Sequence, residues 1–174
     1  MPMEESGRLS DPLLRENFIS RVFAYDDWQR LLLSGLSHHK LINFHTRYKY
    51  LLMAYSPTDY VELGRILANA GKHDIDLLAQ RYFTALMAVL SKLASRKTHT
   101  NVLMHIQRYL KQQLSSSEKQ ELADIIERYR TAELPLIVPI TLLKHHFSNY
   151  PDHYITNQAY LRPYPDAPGL RNII

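Results

Sequence analysis

One pattern constrains this chain more than any other: apolar residues recur at helical spacing from end to end, and strand-like alternation is nowhere sustained. Only five glycines interrupt it. Asp11–Pro12 fits an N-cap with proline at the first helical position, followed by Leu14, Phe18, Val22, Trp28 and Leu32 on one apolar side until Ser34–Gly35. Ser37 can cap a second helix that carries Leu41, Phe44, Tyr48, Leu51, Leu52 and Tyr55. Pro57 suits only a first turn, Ser56 with Asp59 resembles a capping box, and Gly71 is a good residue to end that third helix.

Asp74 opens a longer helix with Leu77, Leu78, Tyr82, Leu86, Val89 and Leu93 inward, and a short basic loop from Ser95 to Thr98 is expected after it. Ser115 to Glu118 forms a capping box ahead of Leu122, Ile125, Ile126 and Tyr129. Pro135 and Pro139 start a helix through Ile140, Leu143 and Phe147, which Tyr150–Pro151 ends; Asp152 to Tyr160 adds a turn or two. The pattern predicts an all-α protein. A single compact multi-helix domain is expected over 11–160, behind a linker-like segment 1–10 and ahead of an irregular, extended C-terminal tail 161–174.

Composition narrows the function. Cysteine is absent, which excludes disulfides, thiolate metal sites, iron–sulfur ligation and a cysteine nucleophile within this chain. The histidine pairs His38–His39 and His145–His146 lack the carboxylate–histidine spacing of metal sites, and no phosphate-cradling glycine loop or dinucleotide fingerprint occurs, so no metal or cofactor is expected. The polar start MPMEESGRLSDP is not a signal peptide, and no apolar run reaches about 18 residues, so a soluble cytoplasmic protein is expected, with no membrane partner.

The net charge of +4 conceals its distribution. Trp28 to Thr58 contains no acid but holds Arg30, Lys40, Arg47 and Lys49; Leu77 to Ser117 contains none but holds Arg81, Lys92, Arg96, Lys97, Arg108 and Lys111. If the two stretches meet, they form a basic surface. Within them, KLINFHTRYKYLLMAY (Lys40 to Tyr55) and THTNVLMHIQRYL (Thr98 to Leu110) each bury one side and crowd titratable groups onto another. The two helices are expected to pack together. On the second, Asn101, His105, Arg108 and Gln112 lie along one stripe that can donate to phosphate oxygens or base edges, with His99 and Thr100 at the helix start. On the first, His45 and Lys49 share a side with Tyr48, whereas Arg47 points elsewhere and could pair with Asp26 or Asp27.

FHTRYKYLLMAYSP, HTNVLMHIQRYLK and ELPLIVPITLLKHHFSNYPD, in this order and spacing, resemble the YbgA-type family over about residues 16–171. The family's second block usually has Gly at the position of Arg108, so Arg108 adds a charge to that helix face. Some members carry the domain behind a desulfidase-type domain that uses cysteine-held iron–sulfur chemistry on thiolated uracil, and the prefix Pro2 to Leu9 looks like the junction of such fusions. The resemblance implies an RNA-binding, in the first place tRNA-binding, module that supports a thiouridine desulfidase domain in cis or in trans. Its expected anion-contacting residues are His45, Arg47, Lys49, Arg96, Lys97, His99, Asn101, His105, Arg108 and Lys111. The expected role is binding rather than catalysis. The alternatives are an enzyme using His45, His99 and His105 on a small anionic substrate, and a protein-interaction scaffold.

Overall fold

The structure, a computed structural model, describes residues 1–68 and 74–164. Among them are eight α-helices and no strand: α1 (Pro12–Leu33), α2 (His38–Tyr55), α3 (Pro57–Ala68), α4 (Ile75–Leu90), α5 (Arg96–Gln107), α6 (Ser116–Arg130), α7 (Ile137–Asn149) and α8 (His153–Thr156). Short 3-10 turns cover Ser6–Ser10 and Arg108–Leu110. Each expected cap with a side-chain acceptor is in use. Asp11 accepts from the amides of Leu13 and Leu14, Ser37 from Lys40, and Asp74 from Asp76 and Leu77; Asp152, not expected as a cap, accepts from Ile155. Ser115 and Glu118 form the reciprocal box. Each such cap is worth about 1 kcal/mol, since it satisfies an amide that the helix itself cannot.

The helices pack in two groups around a shared seam. In one, α2 lies against α3 and α4, and α1 against α4; in the other, α5 lies against α6, and α7 against both. The seam is α2 against α5, so the two motif helices are neighbours, as their patterns predict. Thr98 fixes their register by donating its hydroxyl to the Ala54 carbonyl at 2.6 Å. The C-terminal segment closes over α2. Gln158, almost fully buried, donates to the Thr46 carbonyl at 2.9 Å and accepts weakly from the Tyr50 amide, while the Ala159 amide donates to the Arg47 carbonyl at 3.0 Å.

Four local expectations change. Ser95 to Thr98 is not a loop: Ser95 is an N-cap, Thr98 completes the capping box in place of the usual Glu, and α5 starts at Arg96. α1 buries Glu16, Asn17, Ser20, Ala24 and Trp28, whereas Leu14, Phe18 and Val22 are half-buried and Leu32 is exposed. The polar members of that buried face have specific partners. Asn17 donates to the carbonyls of Leu90 and Lys92 at the end of α4, and Glu16 accepts from the Tyr164 hydroxyl at 3.2 Å. Leu77 and Leu93, expected inward, are about half exposed. Leu161 and Tyr164 are buried rather than lying over the surface, because Tyr164 reaches Glu16. Gly71 and residues 165–174 lie outside the described residues. Among those that are described, no helix is long and apolar enough to cross a membrane.

Candidate nucleic-acid interface

The core of this protein is unusually rich in tyrosine, and that fact decides where the basic residues go. Tyr48, Tyr50, Tyr82, Tyr129 and Tyr160 are fully buried. A buried phenol gains from its ring but must find a partner for its hydroxyl. Tyr48 donates to Asp27 at 2.6 Å, Tyr82 bonds Nδ1 of His45 at 3.0 Å, and Tyr160 bonds Nδ1 of His99 at 2.9 Å. The unusual polar groups of α2 and α5 are therefore partly explained by packing.

Three of the expected anion-contacting residues are committed in this way. Arg47 forms an ion pair with Asp27 at 2.9 Å, the same carboxylate that accepts from Tyr48, and thereby ties α2 to α1. Arg96 donates to the carbonyls of Tyr129 at 2.5 Å and Leu134 at 3.1 Å, with its guanidinium 4.5 Å from the Tyr129 ring, so it closes the end of α6. His99 is buried against Tyr160 beside a cavity of about 20 Å³ bordered by Leu13, Glu16, Asn17 and Leu51, room for about one water. It does not join His45 and His105. Lys40, counted in the first acid-free stretch, donates to the carbonyls of Ser34 and Gly35 and caps α1.

The others gather. Lys49 places its ammonium 5.1 Å from the Tyr50 ring and 5.9 Å from the Tyr154 ring. Tyr154 stacks on Tyr109 at 5.8 Å, and the Tyr50 hydroxyl reaches the Tyr109 hydroxyl at 3.4 Å. His105 sits next to this group: burial lowers its pKa, and the nearby charges of Arg108 and Lys49 lower it further. Lys97, Asn101 and His105 follow at i, i+4 and i+8 on one side of α5, and Arg108, its C-cap, continues that side at i+11. Lys97, Asn101 and Arg108 are exposed and His105 is half-buried. α5 stops at Gln107, however, and the 3-10 turn from Arg108 breaks the stripe before Gln112; Lys111 is exposed just beyond it. Among the described residues, none of Lys49, Lys97, Arg108 or Lys111 forms an ion pair.

His45 flanks the same patch. Its ring stacks on Tyr60 at 5.0 Å with the planes 1° apart, and burial pushes its pKa down to about 4. Tyr60 in turn senses the charge of Lys49, which opposes the upward push of burial on its phenol. The patch thus joins α2, α3, α5 and α8. It offers two unpaired cations, two imidazoles held neutral near pH 7, and tyrosine rings at several depths. Tyr60, Tyr109 and Tyr154 are the members that reading the sequence missed. Tyr109 was visible only as the residue after Arg108 and one turn beyond His105; nothing near Tyr154 in the chain connects it to α5.

Residues 49–165 match the family described as "Protein of unknown function (DUF1722)". The chain belongs to this family. It is also 34% identical over 158 residues to the "Uncharacterized protein YbgA" of Escherichia coli (strain K12), a match that covers 90% of this chain and 94% of that protein. No solved structure matches it. The family stretch contains every member of the patch except His45, which precedes it in α2.

Proposed function

We propose that this protein is a cytoplasmic RNA-binding helical module, acting on tRNA, that supports a thiouridine desulfidase domain in cis or in trans. The observation that carries this reading is the patch of Lys49, His105 and Arg108 set among Tyr50, Tyr109 and Tyr154. Cations without carboxylate partners are available to phosphates, and phosphate contacts provide most of the affinity of RNA-binding proteins. Neutral imidazoles can donate and accept, so they suit base edges or ribose hydroxyls better than phosphates. The link to tRNA and to desulfuration comes from the resemblance to the YbgA-type family. Without a cysteine, this chain would leave the iron–sulfur chemistry to its partner.

The reading separates the ten expected residues by their present partners. Lys49, Lys97, Asn101, His105, Arg108 and Lys111 remain open to a ligand, with His45 at the edge. Arg47, Arg96 and His99 hold the fold. Replacing Lys49 and Arg108 together by Gln should weaken binding of a total tRNA pool at low ionic strength and cost at most about 1 kcal/mol of stability, because only the ring contacts of Lys49 are lost and neither side chain has an ion pair among the described residues. Unchanged tRNA affinity in a folded double variant would remove the patch from consideration.

A further inference from the structure

The exposure of one tyrosine narrows the class of RNA that the patch can hold. Tyr109 keeps 41% of its surface exposed although its ring lies against Tyr154, with the two planes 28° apart, and its hydroxyl is held at 3.4 Å by the buried Tyr50. These two contacts restrain its orientation before any ligand arrives, which lowers the entropy cost of stacking. Free cations flank it. Arg108 is the preceding residue, and Lys49 lies 5.9 Å from the Tyr154 ring that supports it. One acid is near: Asp152, the N-cap of α8, accepts from the Ile155 amide at 2.9 Å, and its charge reaches Tyr154.

Building on the RNA reading above, we propose that Tyr109 is a stacking platform for one unpaired base of single-stranded RNA, backed by Tyr154, with Lys49 and Arg108 placed for the adjoining phosphates. In a duplex both faces of every internal base are already covered, so an open aromatic face can be used only by a base in a loop, a bulge or a strand end. Proline-rich peptides also dock against tyrosines. They carry no phosphates to meet Lys49 and Arg108, so the charge pattern favours RNA.

The test uses a single-stranded oligoribonucleotide with one 2-aminopurine, free and annealed to its complement, titrated with the full chain and with Tyr109→Phe, Tyr109→Leu and Tyr109→Ala. Stacking quenches 2-aminopurine, so the wild type and Tyr109→Phe should quench the single strand and bind it more tightly than the duplex. Tyr109→Leu preserves apolar cover over Tyr154 but has no aromatic face; it and Tyr109→Ala should lose the quench and about 5- to 150-fold in single-strand affinity. Their salt dependence should stay that of the wild type, since no charge is removed. Salt-sensitive RNA binding that persists without a Tyr109-dependent quench would overturn the platform and leave the RNA-binding reading in place. Equal affinity for single strand and duplex would do the same. Absence of salt-sensitive RNA binding, or binding of a proline-rich peptide in its place, would overturn both.

Discussion

His45 makes the stability of this protein depend on pH in a calculable direction. In the folded chain burial holds its pKa down to about 4, against an ordinary value of 6.5. Between those values the unfolded chain binds a proton that the folded chain does not, so stability is fully present above 6.5 and is lost as pH falls toward 4. Protonation would also make both ring nitrogens donors. The buried Tyr82 hydroxyl, 3.0 Å from Nδ1, could then only accept, and its own hydrogen would need a new partner. For a ring sealed from water the shift would correspond to about 3 kcal/mol; His45 is only half-buried, so screening reduces this to about 1–2 kcal/mol. Urea unfolding at about pH 7.5 and about pH 4.5 measures it, with His45→Phe as the comparison. Phenylalanine keeps a ring beside Tyr60 and does not titrate; by stranding the Tyr82 hydroxyl it should cost about 1 kcal/mol at the higher pH. Acid groups elsewhere titrate in both proteins, so the difference between them isolates His45. The wild type should lose about 1–2 kcal/mol more than His45→Phe on going to the lower pH. Equal losses in the two proteins would refute the reasoning.

Arg96 and His146 test the division between fold and site. Arg96→Ala removes two carbonyl contacts and the Tyr129 ring contact, so thermal unfolding should reveal a loss of about 2–3 kcal/mol, with the salt dependence of RNA binding unaltered. A stable Arg96→Ala protein with a flattened salt dependence would instead put this guanidinium in the ligand site. His146 is buried on α7 and neither ring nitrogen is hydrogen-bonded among the described residues, so His146→Leu should be neutral or stabilising by about 1 kcal/mol in urea titrations. Clear destabilisation would mean that the imidazole makes a polar contact that matters.

How much of this was legible beforehand depends on the range of the interactions involved. Caps are local, so Asp11, Ser37, Asp74 and Ser115 could be read directly, and the α2–α5 pairing followed from two amphipathic patterns. Ser95 was missed because Thr98 takes the capping-box position where Glu is the usual signal, and a run of basic residues looked like a loop. The buried face of α1 was missed for a different reason. Hydrophobic periodicity cannot recognise Glu16 and Asn17 as core residues when their partners, Tyr164 and the end of α4, are distant in sequence. The same limit applied to charge. An arginine that pairs with backbone carbonyls, as Arg96 does, looks no different in sequence from one that stays exposed and without an ion pair among the described residues, as Arg108 does. The pairing of Arg47 with one of the two aspartates of α1 was foreseeable only because Asp26 and Asp27 end a cluster of acids just before a stretch without any. Tyr109 and Tyr154 meet through tertiary packing alone, and with them the aromatic half of the patch became visible only in three dimensions.

The central claim is that RNA binds through the patch cations Lys49 and Arg108, with Lys97 at the far end of α5 adding a third phosphate contact, and the salt dependence of tRNA affinity tests it most directly. With about three phosphates neutralised at 0.7–0.9 each, the log–log slope for the wild type should be roughly −2 to −3. Lys49→Gln with Arg108→Gln should bring it to roughly −1 and weaken all tRNAs alike, because phosphate contacts position RNA without reading its sequence. No salt-sensitive binding at low ionic strength, or a slope that the double substitution leaves unchanged, would contradict the account.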